Sequence, residues 1–255
     1  MTFPMRWPVM AGLCLMVAPA QADSIWGEFD TVGSTTVPLA DESDQFAGRA
    51  QLGYIASRGN TDTTNLNGKL VLGWDRPDWR HGAVVNAIYS KDAETTTARN
   101  YRAGYKADRK LGEQNYLFLA LNWETNEFAG FDRRTSEAIG YGRRLFQSDR
   151  QRLDLEIGVG GRQTDRTDGT EQDENIGRLA LSYFLDFGES SDFSHQMAVE
   201  AGDFNTYVES VTSISSQLVG ELDLVASFTA KRNSNVPVGR EKLDSYTTIS
   251  LQYSF

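Results

Sequence analysis

Apolar and polar residues alternate along most of this chain. In Arg152 to Val159, Leu153, Leu155, Ile157 and Val159 form one face, and Arg152, Asp154, Glu156 and Gly158 form the other. Strand side chains alternate with period two, so this is strand patterning. Leu66, Gly68, Leu70, Leu72 and Trp74 oppose Asn67, Lys69, Val71 and Gly73 in the same way. So do Tyr101, Ala103, Tyr105 and Ala107 against Arg102, Gly104, Lys106 and Asp108. Leu179, Leu181, Tyr183 and Leu185 oppose Arg178, Ala180, Ser182 and Asp186; Leu222, Leu224, Ala226, Phe228 and Ala230 oppose Asp223, Ser227 and Lys231. The last residues repeat the pattern, with Thr247, Ile249, Leu251, Tyr253 and Phe255 on one side, and the chain stops at an apolar aromatic.

The pattern predicts about twelve strands, near 49–57, 65–75, 79–90, 98–109, 114–125, 134–145, 151–163, 174–187, 194–203, 207–217, 221–231 and 245–255. Each is about the length a tilted membrane strand needs. Helical periodicity is weak, and no proline interrupts a strand, as ladder bonding requires. The polar faces carry whole charges, with Gly, Ser and Thr between them. That suits a polar lumen with lipid outside, a closed antiparallel transmembrane β-barrel. Closed strands, like helices, satisfy every backbone polar group in lipid.

With both termini periplasmic, the turns Arg76–Asp78, Leu111–Glu113 and Gln147–Asp149 fall on the inner side. The expected outer loops are Arg58–Asn65, Lys91–Thr97, Asn126–Arg133, Thr164–Asp173 and Arg232–Asp244. Trp74, Trp79, Tyr116 and Phe255 are expected at the periplasmic rim, and Tyr89, Trp123, Phe128 and Phe131 at the outer rim.

Residues 1–22 read as a secretory signal. Arg6 is its positive charge, Val9–Ala18 its short apolar stretch and Ala20-Gln21-Ala22 its cleavage site. Cleavage near Ala22 leaves 233 of the 255 residues and takes the formal charge from −10 to −11. An acidic chain is a poor nucleic-acid binder. Cys14 is the only cysteine and goes with the signal, which excludes disulfides, thiolate metal sites and a cysteine nucleophile. Residues 23–48 read as a periplasmic arm before a barrel at 49–255.

Short motifs then carry a family resemblance. Ser57-Arg58-Gly59-Asn60-Thr61-Asp62-Thr63 resembles the Gly-Asn-Thr signature of the salt-induced outer membrane protein family, whose shared domain has no established function. Trp79-Arg80-His81, Arg99-Asn100-Tyr101-Arg102, Tyr116-Leu117-Phe118, Glu127–Arg134, Leu153–Gly158 and the final aromatic resemble its later landmarks in order. The resemblance runs from about residue 49 to the end. It implies an outer-membrane barrel of a Gram-negative bacterium, and the family name adds a link to salt or osmotic stress without a mechanism.

Candidate chemistry is sparse. His81 and His195 are the only histidines, both expected at periplasmic strand ends, and Ser194 next to His195 points to the opposite face. No catalytic residue, cofactor or metal is assigned. Asp165, Asp168, Glu171, Asp173 and Glu174 crowd one outer loop without calcium-loop spacing, and read as a solvated acidic loop. Arg58, Arg99, Arg133, Arg134 and Arg240 are candidate contacts for lipopolysaccharide phosphates. Other expected partners are outer-membrane lipids and the barrel-assembly machinery, which would meet the strand ending at Phe255.

The lumen-facing set carries most of the functional argument. Lys69, Arg102, Lys106, Arg152, Arg162, Arg178 and Lys231 share it with Asp108, Glu124, Asp154, Glu156, Asp186, Glu200 and Asp223. Mixed charge lines a water-filled channel, or locks across a narrow lumen and shuts it. The first expectation is a narrow channel for small hydrophilic or ionic solutes. The alternatives are a closed barrel stabilising the outer membrane or its lipopolysaccharide, and, third, a lipid-modifying enzyme.

Overall fold

The computed structural model describes residues 29–31, 34–35, 45–57, 63–92, 95–126, 129–188, 190–239 and 241–255. The signal reading, most of the arm, Arg58, Phe128 and Arg240 lie outside the described residues. Two short strands, β1 (Phe29–Thr31) and β2 (Ser34–Thr35), pair with each other. Twelve more close into an antiparallel barrel: β3 (Gln45–Ser57), β4 (Thr63–Asp75), β5 (Trp79–Asp92), β6 (Thr95–Lys110), β7 (Asn115–Asn126) and β8 (Phe131–Gln147). They continue with β9 (Gln151–Arg166), β10 (Glu171–Asp186), β11 (Ser191–Gly202), β12 (Thr206–Val219), β13 (Leu222–Asn233) and β14 (Leu243–Ser254). Sequence neighbours pair all the way round, and β14 closes on β3.

The barrel is inside-out relative to a soluble domain. Ile157 and Val159 are 60% and 65% exposed on its outer surface, whereas Arg178 inside is 1% exposed. That distribution costs free energy in water and is favourable in lipid, where the outer side chains meet hydrocarbon. Among the described residues no helix is long and apolar enough to cross a membrane. The membrane is crossed by strands, whose backbone groups bond round the ring.

Alternation gives the register, broken by local shifts in several ladders. Leu145 and Phe146 are adjacent yet both exposed, because the β8–β9 register shifts between Arg144 and Phe146. Such a bulge re-aims one side chain. The outer strand ends run further than alternation predicts. The loop expected over 164–173 shrinks to a turn at 167–170, with Gly169 at φ 82°. Beyond the lipid both strand faces meet water, so polar strand ends read like loops. In that turn the Thr170 hydroxyl and amide both donate to Asp168, holding its carboxyl below the usual range.

Two rim assignments are corrected. Tyr116 and Phe131 are buried, at 3% and 2% exposure, instead of sitting at the rims. Tyr116 lies between the outward Asn115 side and Leu117, so parity turns it inward with Phe118 and Ala120. Its ring covers Gly142, its register partner on β8. Phe131 packs under the Arg134 guanidinium, 4.1 Å from the ring centre. Trp74, Trp79, Tyr89, Trp123 and Phe255 are exposed on the outside.

Candidate functional site, a crossed ion-pair clasp in the lumen

Two cross-strand pairs face each other through the barrel. Arg102 on β6 stands beside Glu124 on β7, and Glu209 on β12 beside Lys231 on β13. In the ring order, β6 and β12 are diametrically opposed, and so are β7 and β13. The charges nevertheless meet. Arg102 Nη1 donates to Glu209 Oε1 at 2.7 Å, and Lys231 Nζ donates to Glu124 Oε1 at 2.9 Å. Lys231 also lies 3.7 Å from Glu209, and Asn100 donates to Glu124 at 2.6 Å. Each ion pair therefore crosses the full lumen. All four side chains are at most 7% exposed.

Towards the end where β3 begins and β14 ends, a second cluster follows. Lys106 Nζ contacts Glu156 at 2.5 Å and Asp108 at 2.9 Å. The Tyr116 hydroxyl donates to the same Glu156 oxygen at 3.0 Å. Arg178 lies 3.6 Å from both Glu156 and Glu200, too far for a direct hydrogen bond. Arg144 and Arg152 both reach Asp154, at 2.9 and 3.3 Å. Tyr116 and Phe118 form an aromatic wall, with Lys106 Nζ 5.1 and 5.5 Å from the two ring centres. Towards the other end, Arg162 bonds Glu174 at 2.7 Å, and the second oxygen of Glu174 accepts the Phe204 and Asn205 amides. That ties the inner wall to the turn between β11 and β12.

The remaining members of the sequence-derived set fall at the edges of this network. Lys69 lines a cavity of about 50 Å³ together with Arg102 and Glu209. Asp186 accepts the Gly188 amide in the turn between β10 and β11, and Asp223 accepts from Gln252. Glu209, Arg80, Arg144 and Glu174 were missed. Glu209 sits in Val208–Ile214, where Ser and Thr on both faces blur the alternation. Arg134, read as a lipopolysaccharide contact, is corrected: it points inward, stacked on Phe131 and Tyr207, because its strand parity matches Ser136. Arg133 faces out but is bonded to Asp165 at 2.6 Å.

The histidines sit outside this network. His81 Nδ1 pairs with the Tyr105 hydroxyl at 2.8 Å and His195 Nδ1 with the Thr212 hydroxyl at 2.9 Å. Ser194 is buried on the inner side, on the opposite face from His195. Among the described residues no three His, Cys, Asp or Glu side chains gather as a metal site.

A family described as a protein of unknown function, DUF481, matches residues 50–255, the barrel from β3 to the last residue. The chain belongs to this family. An uncharacterized protein, YdiY of Escherichia coli (strain K12), is similar to this DUF481 chain at 24% identity, over 99% of this chain and 98% of YdiY. Two solved structures share the fold. The NanC porin superposes with a TM-score of 0.51 at 12% identity, over 83% of this chain and 99% of the porin. The COG4313 outer membrane channel from Pseudomonas putida F1 gives 0.52 at 9% identity, over 89% and 100%. At such identities the likeness shows the barrel fold alone and carries no activity over to the DUF481 chain.

Proposed function

We propose that this protein is a narrow outer-membrane channel for small ionic solutes, with Arg102, Glu124, Glu209 and Lys231 as its constriction. The observation that carries the reading is the crossed pair of ion pairs inside an otherwise lipid-compatible wall. Charges buried in a barrel are costly, and a purely structural core is built more cheaply from apolar side chains. Fixed charges of both signs across a lumen are what a selective pore uses. The porin-like fold supports the reading. No catalytic step is assigned, since neither histidine shares a face with the buried charges.

Planar-bilayer recording of the purified barrel tests this. Discrete current steps are expected, and their size should grow when Arg102→Gln and Glu209→Gln are combined. A second reading, a closed barrel that stabilises the outer membrane or its lipopolysaccharide, is favoured by the directness of the two bonds across the lumen. Absence of current at every voltage, in the wild type, in the clasp variant and in a form lacking the β1–β2 hairpin alike, would replace the channel with this closed barrel.

A further inference from the structure

The β1–β2 hairpin lies against opposite walls of the barrel. β1 approaches β11 and β12, whereas β2 approaches β10 on that side and β5 and β6 on the other. In the ring order β5 and β11 are diametrically opposed. Round the outside, half the ring is six strand spacings, roughly 29 Å at about 4.8 Å each. Two paired strands span only about 5 Å between their axes. A hairpin of this size touches both walls only by lying across the lumen.

The dimensions agree. Arg102 on β6 and Glu209 on β12 meet end to end, so these opposed walls lie within two extended side chains of each other. A hairpin about 5 Å across then leaves a gap of about one side-chain length to either wall. The tether also reaches. Ten residue steps separate Thr35 from Gln45, where β3 begins, and an extended chain covers at most about 3.3–3.6 Å per step. Gln45 pairs with Asp75, beside the 76–78 turn, so β3 begins at that mouth of the barrel.

We propose that the segment around Phe29–Thr35 is a tethered plug that occupies the lumen from the periplasmic side, in series with the clasp. Its binding site is the inner wall of β5, β6, β10, β11 and β12, and its occupant is the β1–β2 hairpin of the same chain. The consequence for transport rests on the channel reading; the placement does not. Solute passage then requires the hairpin to leave or shift, which makes the arm a natural point of control.

The test has two independent readouts. The only cysteine is Cys14, so engineered pairs report cleanly. Thr31→Cys is combined in turn with Ser194→Cys, Gln196→Cys, Ser213→Cys or Ser215→Cys, inner-wall positions on β11 and β12. Mild oxidation in outer-membrane fractions is expected to cross-link at least one pair, seen as a reducible mobility change. Separately, deletion of residues 28–36 is expected to raise bilayer conductance several-fold while the heat-dependent gel shift of the barrel persists. No cross-link at any of the four positions overturns the placement, whether or not the barrel conducts. A cross-link together with current unchanged by the deletion, including no current in either form, overturns the plug.

Discussion

The four clasp residues are coupled because each removes the other's desolvation problem. Taking one partner away leaves the other charge buried and uncompensated, at a cost of about 3–5 kcal/mol. Glu209→Leu alone is therefore expected to cost that much in urea unfolding of the lipid-embedded barrel. Arg102→Leu with Glu209→Leu should cost much less than the two single changes together, since contacting residues are non-additive. Additive losses would show that the 2.7 Å contact carries no energy of its own. The glycines give a second contrast. A Cβ at Gly142 falls 2.2 Å from the Tyr116 ring, whereas at Gly68 nothing lies within 4 Å. Overpacking costs about 1–3 kcal/mol, while relief of glycine's backbone entropy is worth roughly 0.5–1 kcal/mol. Gly142→Ala should destabilise the barrel and Gly68→Ala should leave it equal or slightly firmer. The same ranking in thermal midpoints would confirm that Tyr116 fills the space over Gly142.

Strands were legible wherever one face met lipid, because there every second residue has to be apolar. β9 shows this: Leu153, Leu155, Ile157 and Val159 fix its register without further information. The signal fades at the far end of that strand, since Gln163 and Asp165 occupy the same outward face beyond the apolar band. It also fades on β12, where Ser210 and Thr212 on the outer face resemble Ser213 and Ser215 on the inner, and Glu209 goes unread. Tyr116 and Phe131 were misread for a different reason. Aromatic character marks a rim, but the side is set by parity at Tyr116 and by the register shift between Phe131 and Arg133 at Phe131. Depth along one strand is therefore measurable. Ile157→Arg should cost about 2–4 kcal/mol and Gln163→Arg about 0–1, following the depth dependence of lipid-facing arginine. Equal costs at the two sites would mean that Ile157 does not face hydrocarbon.

At the scale of the whole barrel, closure is the weak step. The β14–β3 ladder pairs only Leu251–Leu52 through Ser254–Arg49, whereas β13–β14 runs from Leu222–Tyr253 to Arg232–Leu243. The final residue extends this short seam. Gly48 donates its amide to the Phe255 carbonyl at 2.8 Å, and Phe255 returns the bond at 2.9 Å. The Phe255 ring lies over Gly48, too close for a Cβ there, and near Phe46 and Tyr253. Unpaired backbone groups in hydrocarbon cost several kcal/mol each, so losing two bonds from so short a ladder frays the one joint that keeps the sheet a ring. Deleting Phe255 is expected to lower the yield of heat-modifiable barrel in outer membranes and to slow its folding into lipid vesicles. The vesicle arm contains no assembly machinery, so a defect there belongs to the seam. A defect confined to cells instead locates the role of Phe255 in recognition by the barrel-assembly machinery. Normal yield in both settings would mean that four paired residues suffice to close twelve strands.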